Sequence, residues 1–363
     1  MFYRKYRPKN FSEVVGQEIV IRILKNMIKR GEILHGYLFA GERGTGKTTV
    51  ARIFAKTVNC LNPQEGEACE KCQICKLWNE GKFLDIVEID AASHRKIDDV
   101  RSLQEHIGFK PLQGKYKVFI IDEAHMLTEE AFNALLKTLE EPPKHVIFIL
   151  ATTEPSKIPP TILSRLQRLD FKRISLPQIV EKLKKILENE KIDYEEEALY
   201  LIAEEAEGSL RDAETLLEKV VISLNPEPKI TQDYVAEFLG QISTNQVLNF
   251  LDNLLDKKTD LALEFLHDIY KNGYEISSFL KSLIKILKEI IFIKVNKNFA
   301  KHLSSERSSE ITDKMIEIAS KADLETFKKL LRLLFEADSL LRKEPPHPLL
   351  PLEIAVIEFV SLR

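Results

Sequence analysis

The chain has 363 residues, of which 44% are hydrophobic and 30% charged, and its formal net charge is −3. That length exceeds one small core and favours two or three domains, the composition is that of a globular chain, and a small negative charge excludes adhesion to nucleic acid over the whole surface, so any such contact must be local. No apolar run approaches the roughly 20 residues of a membrane span, and the opening Met-Phe-Tyr-Arg-Lys-Tyr-Arg-Pro has no apolar signal core; a reducing, cytoplasmic location is expected, with cysteines that are not disulfides.

From Gly36 to about Phe171, short β-rich runs alternate with amphipathic helical stretches, the pattern of an α/β domain with a parallel sheet. Strands are expected over Tyr37–Ala40, Ile86–Asp90, Lys117–Asp122, Val146–Thr152 and Leu166–Phe171, with helices beginning near Gly46, Lys96 and Thr128. Unbroken apolar runs such as Val118-Phe119-Ile120-Ile121 suit strands covered by helices on both faces. After Phe171 the strands are expected to stop. Short helices over Pro177–Glu190, Glu195–Glu207 and Ser209–Leu224 would form a small helical domain, with Asn225-Pro226-Glu227-Pro228 as a breaker and Gly240–Thr244 as a link. The remainder reads as helical, with Leu280, Leu283, Ile284, Leu287, Ile290 and Ile291 on one stripe. The expected domains are 1–174, 175–240 and 241–363.

Gly41-Glu42-Arg43-Gly44-Thr45-Gly46-Lys47-Thr48 matches the phosphate-loop pattern G-x-x-x-x-G-K-[ST] between an expected strand and an expected helix. Glycines let backbone N–H groups curl round phosphates, the helix N-terminus adds its positive dipole, Lys47 reaches the β- and γ-phosphates, and Thr48 suits Mg²⁺. The phosphate-binding set is Gly41, Arg43, Gly44, Thr45, Gly46, Lys47, Thr48 and Thr49. Asp122 and Glu123 end a buried strand; alone, such a pair caps a helix as readily as it does chemistry. Beside a complete phosphate loop, Asp122 is expected to hold Mg²⁺ and Glu123 to polarise the attacking water. His125 is assigned no role. A hydroxyl near Thr153, at the end of the Val146–Thr152 strand, is placed to meet a phosphate or water, although threonine at a strand end is unremarkable.

Cys60, Cys69, Cys72 and Cys75 are spaced C-x8-C-x2-C-x2-C. In a reducing compartment this points to a closed tetrahedral zinc site with a structural role, an iron–sulfur cluster and free thiols being the alternatives. Ser93-His94-Arg95-Lys96-Ile97-Asp98 is a basic helix start, either one whose Arg95 and Lys96 hold a DNA phosphate or one that is simply charged and solvated.

In chain order, the phosphate loop, Asp122-Glu123-Ala124-His125, Ala151-Thr152-Thr153-Glu154, Ser164-Arg165 and Gly208-Ser209-Leu210-Arg211-Asp212-Ala213 resemble the AAA+ ATPases. Tyr6-Arg7-Pro8-Lys9-Asn10-Phe11 with Val14-Val15-Gly16-Gln17-Glu18, the run from Asn133 to Pro143, and the four-cysteine insertion at about 60–75 are similar to the bacterial clamp-loader motor branch of that family. The motifs cover about residues 3 to 215. The resemblance implies an AAA+ parallel-sheet ATPase domain, a helical lid and an all-helical collar, with ATP and Mg²⁺ at the phosphate loop and zinc at the cysteines. It implies Thr153 as first sensor, Arg211 as second sensor, and Arg165 as an arginine finger acting on a neighbouring subunit. Arg4, Arg7, Pro8, Val15 and Leu210 would line the adenine and ribose. The usual Ser-Arg-Cys of the branch is Ser164-Arg165-Leu166 here, which keeps the charged group. Implied partners are copies of the chain, delta- and delta-prime-type loader subunits, a β-type sliding clamp, and the backbone of primer–template DNA. Two competing readings are another AAA+ motor, such as a branch-migration helicase or helicase loader, and a non-hydrolysing loader subunit; the latter should lack an intact phosphate loop or Glu123.

Overall fold

Val118, Phe119, Ile120 and Ile121 are all buried, which a strand achieves only between two covering layers. The computed structural model describes residues 1–93, 107–224, 229–240, 242–296, 298–299, 309–343 and 345–361. The basic stretch His94–Asp98, the helix expected near Lys96 and the breaker Asn225–Pro228 lie outside the described residues. The chain forms two compact units, Met1–Lys182 with Ala206–Thr215, and Leu183–Glu205 with Leu216–Arg363, so that residues of the expected 175–240 domain fall in both.

The first unit is built on a parallel sheet of β1 (Gly36–Ala40), β2 (Ile86–Asp90), β3 (Lys117–Asp122), β4 (Val146–Thr152) and β5 (Gln167–Asp170), in the order β2-β3-β4-β1-β5. Side-chain alternation divides its core in two. Leu38, Phe119, Ile121, Phe148 and Leu150 share one cluster with Phe132 and Leu135. Tyr37, Phe39, Val118, Ile120, Ile147 and Ile149 share the other with Leu24, Val50 and Phe54. The helices supplying these contacts are α1 (Glu18–Arg30), α2 (Lys47–Asn59) and, after a short α3 (Gln73–Asn79), α4 (Glu129–Glu140), whose Thr128 cap accepts the Ala131 N–H at 3.3 Å. Ala40 pairs with Thr152 and Ile121 with Leu150, so β1, β3 and β4 finish at one edge of the sheet. Ligands of open parallel sheets bind outside that carboxyl edge.

Helices α5 (Leu176–Glu190), α6 (Glu196–Glu205), α7 (Leu210–Ser223) and α8 (Gln232–Phe238) follow. Contrary to expectation, strands do not stop at Phe171. In the second unit β6 (Asp193–Tyr194) pairs in parallel with β7 (Lys229–Ile230), and the Glu195 carboxylate accepts the Gln232 N–H at 2.9 Å beside this pair. Two-residue strands carry no readable period; long-range pairing makes them. The second unit continues through α9 (Thr244–Leu255), α10 (Thr259–Lys271), α11 (Ile276–Val295), α12 (Ser309–Lys321), α13 (Leu324–Leu341) and α14 (Leu350–Ser361), which surround one core. Leu280, Leu283, Leu287 and Ile290 of α11 are fully buried in it, with Ile284 and Ile291 packed at its margin. The expected link ends in a capping box, the Ser243 hydroxyl accepting the Gln246 N–H at 3.3 Å while the Gln246 side chain accepts the Ser243 N–H at 3.1 Å. No helix among the described residues is long and apolar enough to cross a membrane.

Candidate functional site: a phosphate loop facing two carboxylates

β1 delivers the chain into the loop Gly41–Gly46, and α2 starts at once with Lys47. Two glycines make the turn possible. Gly46 stands at φ +98 as the N-cap, and Gly44 at φ +75 lies where a Cβ would come within 1.9 Å of the Ser209 hydroxyl. Lys47 is only 5% exposed, and its ammonium donates to the carbonyl oxygens of Gly41 and Glu42, both at 2.7 Å. Burial lowers its pKa, against the opposing pull of Glu123, Asp122 and Glu42. The cation is thus held on the loop's own carbonyls, where a phosphate oxygen would be the stronger partner.

Thr48 and Asp122, far apart in sequence, meet through a 2.8 Å bond from the threonine hydroxyl to the carboxylate. A hydroxyl and a carboxylate in contact beside a buried ammonium suit a divalent cation that keeps several waters, as Mg²⁺ does. Glu123 follows at φ 49 and ψ 44, a left-handed conformation that turns the chain sharply after β3. Its carboxylate accepts a bond from the Thr153 hydroxyl at 3.3 Å. The His125 Nδ1 lies 3.1 Å from the Thr152 hydroxyl and 3.5 Å from the Glu123 carboxylate.

One cavity joins these groups to an apolar side. Arg43, Gly44, Thr45, Gly46, Lys47, Thr48, Thr49, Asp122 and Glu123 line one part, and Arg7, Pro8, Val15, Leu210 and Arg211 are among the residues that line the other. Arg211 lies over the Tyr3 ring, 5.0 Å from its centre. Four lining residues were not foreseen: Tyr3, Val14, Ile174 and Glu214. Glu214 is one helical turn beyond Leu210, a spacing that puts both on one helix face and could have flagged it. Gln17, on the same side, ties the loop down, its amide donating to the carbonyls of Thr45 at 3.2 Å and Lys172 at 2.7 Å.

Four expected residues lie off the cavity wall. Gly41 touches it only through the carbonyl that receives Lys47, Thr153 reaches it only through Glu123, and Arg4 donates to the Tyr3 hydroxyl at 3.2 Å. Arg165 is elsewhere. It donates to Glu140 at 2.6 Å and sits with His35 and Gly36 at the amino end of β1, roughly 13 Å along the strand from the phosphate loop.

The cysteines converge. All four sulfurs lie within 4.8 Å of one another, Cys60 being 3.9 Å from Cys72 and 3.7 Å from Cys75. A tetrahedron with zinc–sulfur bonds of 2.3 Å has edges of about 3.8 Å, so the donor set fits zinc. Burial works against an ionised Cys72, but N–H donors from Cys75 and Leu61 outweigh it and bring its thiol down to about 6. Burial pushes the Cys60 and Cys75 thiols up.

Three family models match in tandem. Residues 16–175 match "DNA polymerase III, delta subunit", 178–223 "DNA polymerase III clamp loader subunit, ATPase lid domain", and 230–363 "DNA polymerase III subunits gamma and tau domain III". DNA polymerase III subunit gamma of Buchnera aphidicola subsp. Baizongia pistaciae is 42% identical over 295 residues, covering 80% of this chain and 78% of that protein. The chain belongs to the gamma/tau family of DNA polymerase III clamp-loader subunits. DNA polymerase III subunit tau of Bacillus subtilis is 40% identical over 89% of the chain, and that of Escherichia coli 40% identical over 81%. This gamma/tau chain spans 59% of the former's length and 45% of the latter's. Among solved structures, the Thermotoga maritima RuvB Holliday junction branch migration motor is 22% identical with a TM-score of 0.50, covering 69% of this chain and 79% of its own. At that identity the likeness concerns the AAA+ fold alone.

Proposed function

We propose that this gamma/tau chain is an ATP-hydrolysing motor that opens a sliding clamp and loads it on primed DNA, with hydrolysis driving release. The observation that carries the reading is the Thr48–Asp122 contact beside the buried Lys47 and next to Glu123. A subunit that only scaffolds the loader has no need of all four groups. In this reading the loop N–H groups and Lys47 bind the phosphates, and Lys47 leaves the Gly41 and Glu42 carbonyls to do so. Thr48 and Asp122 would hold Mg²⁺, which supplies charge to the phosphates when bound. Glu123, aligned by the Thr153 hydroxyl, accepts the proton of the attacking water. Arg211 neutralises charge from its own chain, and Arg165 does so in the site of a neighbour. Arg7, Pro8, Val15 and Leu210 take the nucleoside, and Arg4 stands behind Tyr3. Zinc at Cys60, Cys69, Cys72 and Cys75 is structural, since all four positions are filled by protein. The partners are further copies of the chain, delta- and delta-prime-type subunits, a β-type clamp and the DNA backbone, and the cellular setting is the cytoplasm.

The test is reconstitution with loader partners, clamp and primed DNA. ATPase should rise when clamp and DNA are added, and Lys47→Ala should lower turnover by about a thousandfold, the scale of removing preorganised transition-state charge. Turnover of Lys47→Ala equal to that of the unaltered chain would refute the motor reading.

A further inference from the structure

The cysteine insertion takes no part in the steps above, yet one of its side chains bonds the backbone of a segment whose two ends line the cavity. Glu67 stands two residues before Cys69. Its carboxylate accepts the backbone N–H groups of Phe11 and Ser12, each at 2.9 Å, and lies 2.6 Å from the Lys25 ammonium of α1. Phe11 and Ser12 open the single 3-10 turn Phe11–Glu13, and the first N–H groups of any helical turn have no partner within it. Glu67 therefore caps this turn from outside. The turn is the midpoint of Arg7–Val15, whose two ends, Arg7 with Pro8 and Val14 with Val15, both line the cavity. Phe11 itself is 1% exposed and packs in the core.

The loop that carries Glu67 has little core of its own. Its buried cluster is Cys60, Ala68 and Cys75, with Cys69 and Cys72 beside them. The Cys69 N–H donates to the Cys60 sulfur at 3.3 Å and closes the loop at its base; at its tip the Gln64 and Glu67 backbones exchange bonds of 2.9 and 2.8 Å. Gly66, at φ +77, lets the tip approach α1, where a Cβ would sit 2.9 Å from the Lys25 Cα. A small loop whose interior is thiol draws its order from the ion those thiols hold.

We propose that Glu67 is a positioning residue through which a metal held by the four cysteines sets the nucleoside side of the cavity. The ion fixes the loop 60–69, the loop presents Glu67, and Glu67 orders the backbone between Arg7 and Val15. The link rests on the nucleotide reading above.

The experiment is a thermodynamic cycle on the full chain, with affinity for a fluorescent ATP analogue and zinc content measured together. In zinc-loaded protein, Glu67→Ala should weaken nucleotide binding about tenfold, the scale of losing charge-assisted bonds to two backbone N–H groups, with zinc content unchanged. Glu67→Gln should recover part of this, because its amide oxygen still accepts one bond, and it serves in place of the alanine variant if that one fails to fold. Stripping zinc with a chelator should weaken binding by the unaltered chain by a similar factor and weaken Glu67→Ala little further. Full affinity in zinc-loaded Glu67→Ala, or an equal loss in both proteins on stripping, would overturn the link while leaving the functional reading intact. An unaltered chain that bound no nucleotide would overturn both.

Discussion

Glu214 shows how one side chain departs from what its neighbours in sequence suggest. Leu210 and Arg211 were foreseen on the cavity wall, whereas Glu214 reads as an ordinary helical carboxylate until the fold buries it to 5% exposure. Burial raises its pKa to about 7, against the pull of Lys182 and Arg7. The native state then holds a proton that the unfolded chain, titrating near 4.5, has released. Between those values the native state binds more protons than the unfolded one, so stability falls as pH rises through the window and levels off above it. The shift corresponds to a loss on the order of 3 kcal/mol from pH 4 to pH 8. Glu214→Gln should flatten this slope and be the more stable protein at pH 8, as read by urea unfolding at pH 5 and pH 8; an unaltered slope would mean that another group titrates. Lys47 was legible for the opposite reason: the carbonyls of Gly41 and Glu42 that hold its ammonium belong to the same loop.

Among the elements, legibility followed the length of the pattern. β3 and β4 lie where the apolar runs put them, because four or more buried residues in a row leave one arrangement for a short segment, and β2 takes its expected span Ile86–Asp90 with no residue fully buried. β5 is shorter than expected, Gln167–Asp170, since Leu166 packs beside Gly36 and Phe171 leaves the ladder after one bond to Ala40. β6 and β7 were invisible, being two residues each. α11 illustrates the readable extreme. Leu287, at the middle of its stripe, is fully buried, and Leu287→Ala should destabilise the second unit by about 2 to 5 kcal/mol through lost burial and a cavity. Thermal unfolding of the two proteins would show this, and a difference under about 1 kcal/mol would imply that the core relaxes around the gap.

Across the whole molecule the placement of Arg165 matters most. It is bonded to Glu140 at the amino end of β1, whereas the phosphate loop follows the carboxyl end of the same strand. A chain so built has no use for Arg165 in its own cavity, and the proposed engine is divided between neighbours. Arg165→Ala should bind ATP normally yet hydrolyse it poorly in the assembled loader. Mixed assemblies of Arg165→Ala and Lys47→Ala chains should hydrolyse more than either variant alone, because one contributes a complete phosphate loop and the other an intact arginine; a mixture no better than its parts would place the arginine's action within the chain. Sequence alone sufficed for the phosphate loop, the Asp122-Glu123 pair, the cysteine centre and the parallel sheet, all of which rest on contiguous residues or regular spacing. Tertiary structure alone decided that Thr48 touches Asp122, that Glu67 caps the turn at Phe11 and Ser12, that Glu214 is buried, and that Arg165 stands apart. These contacts join segments tens of residues apart, and only strand register and helix packing set which side chains meet across such separations.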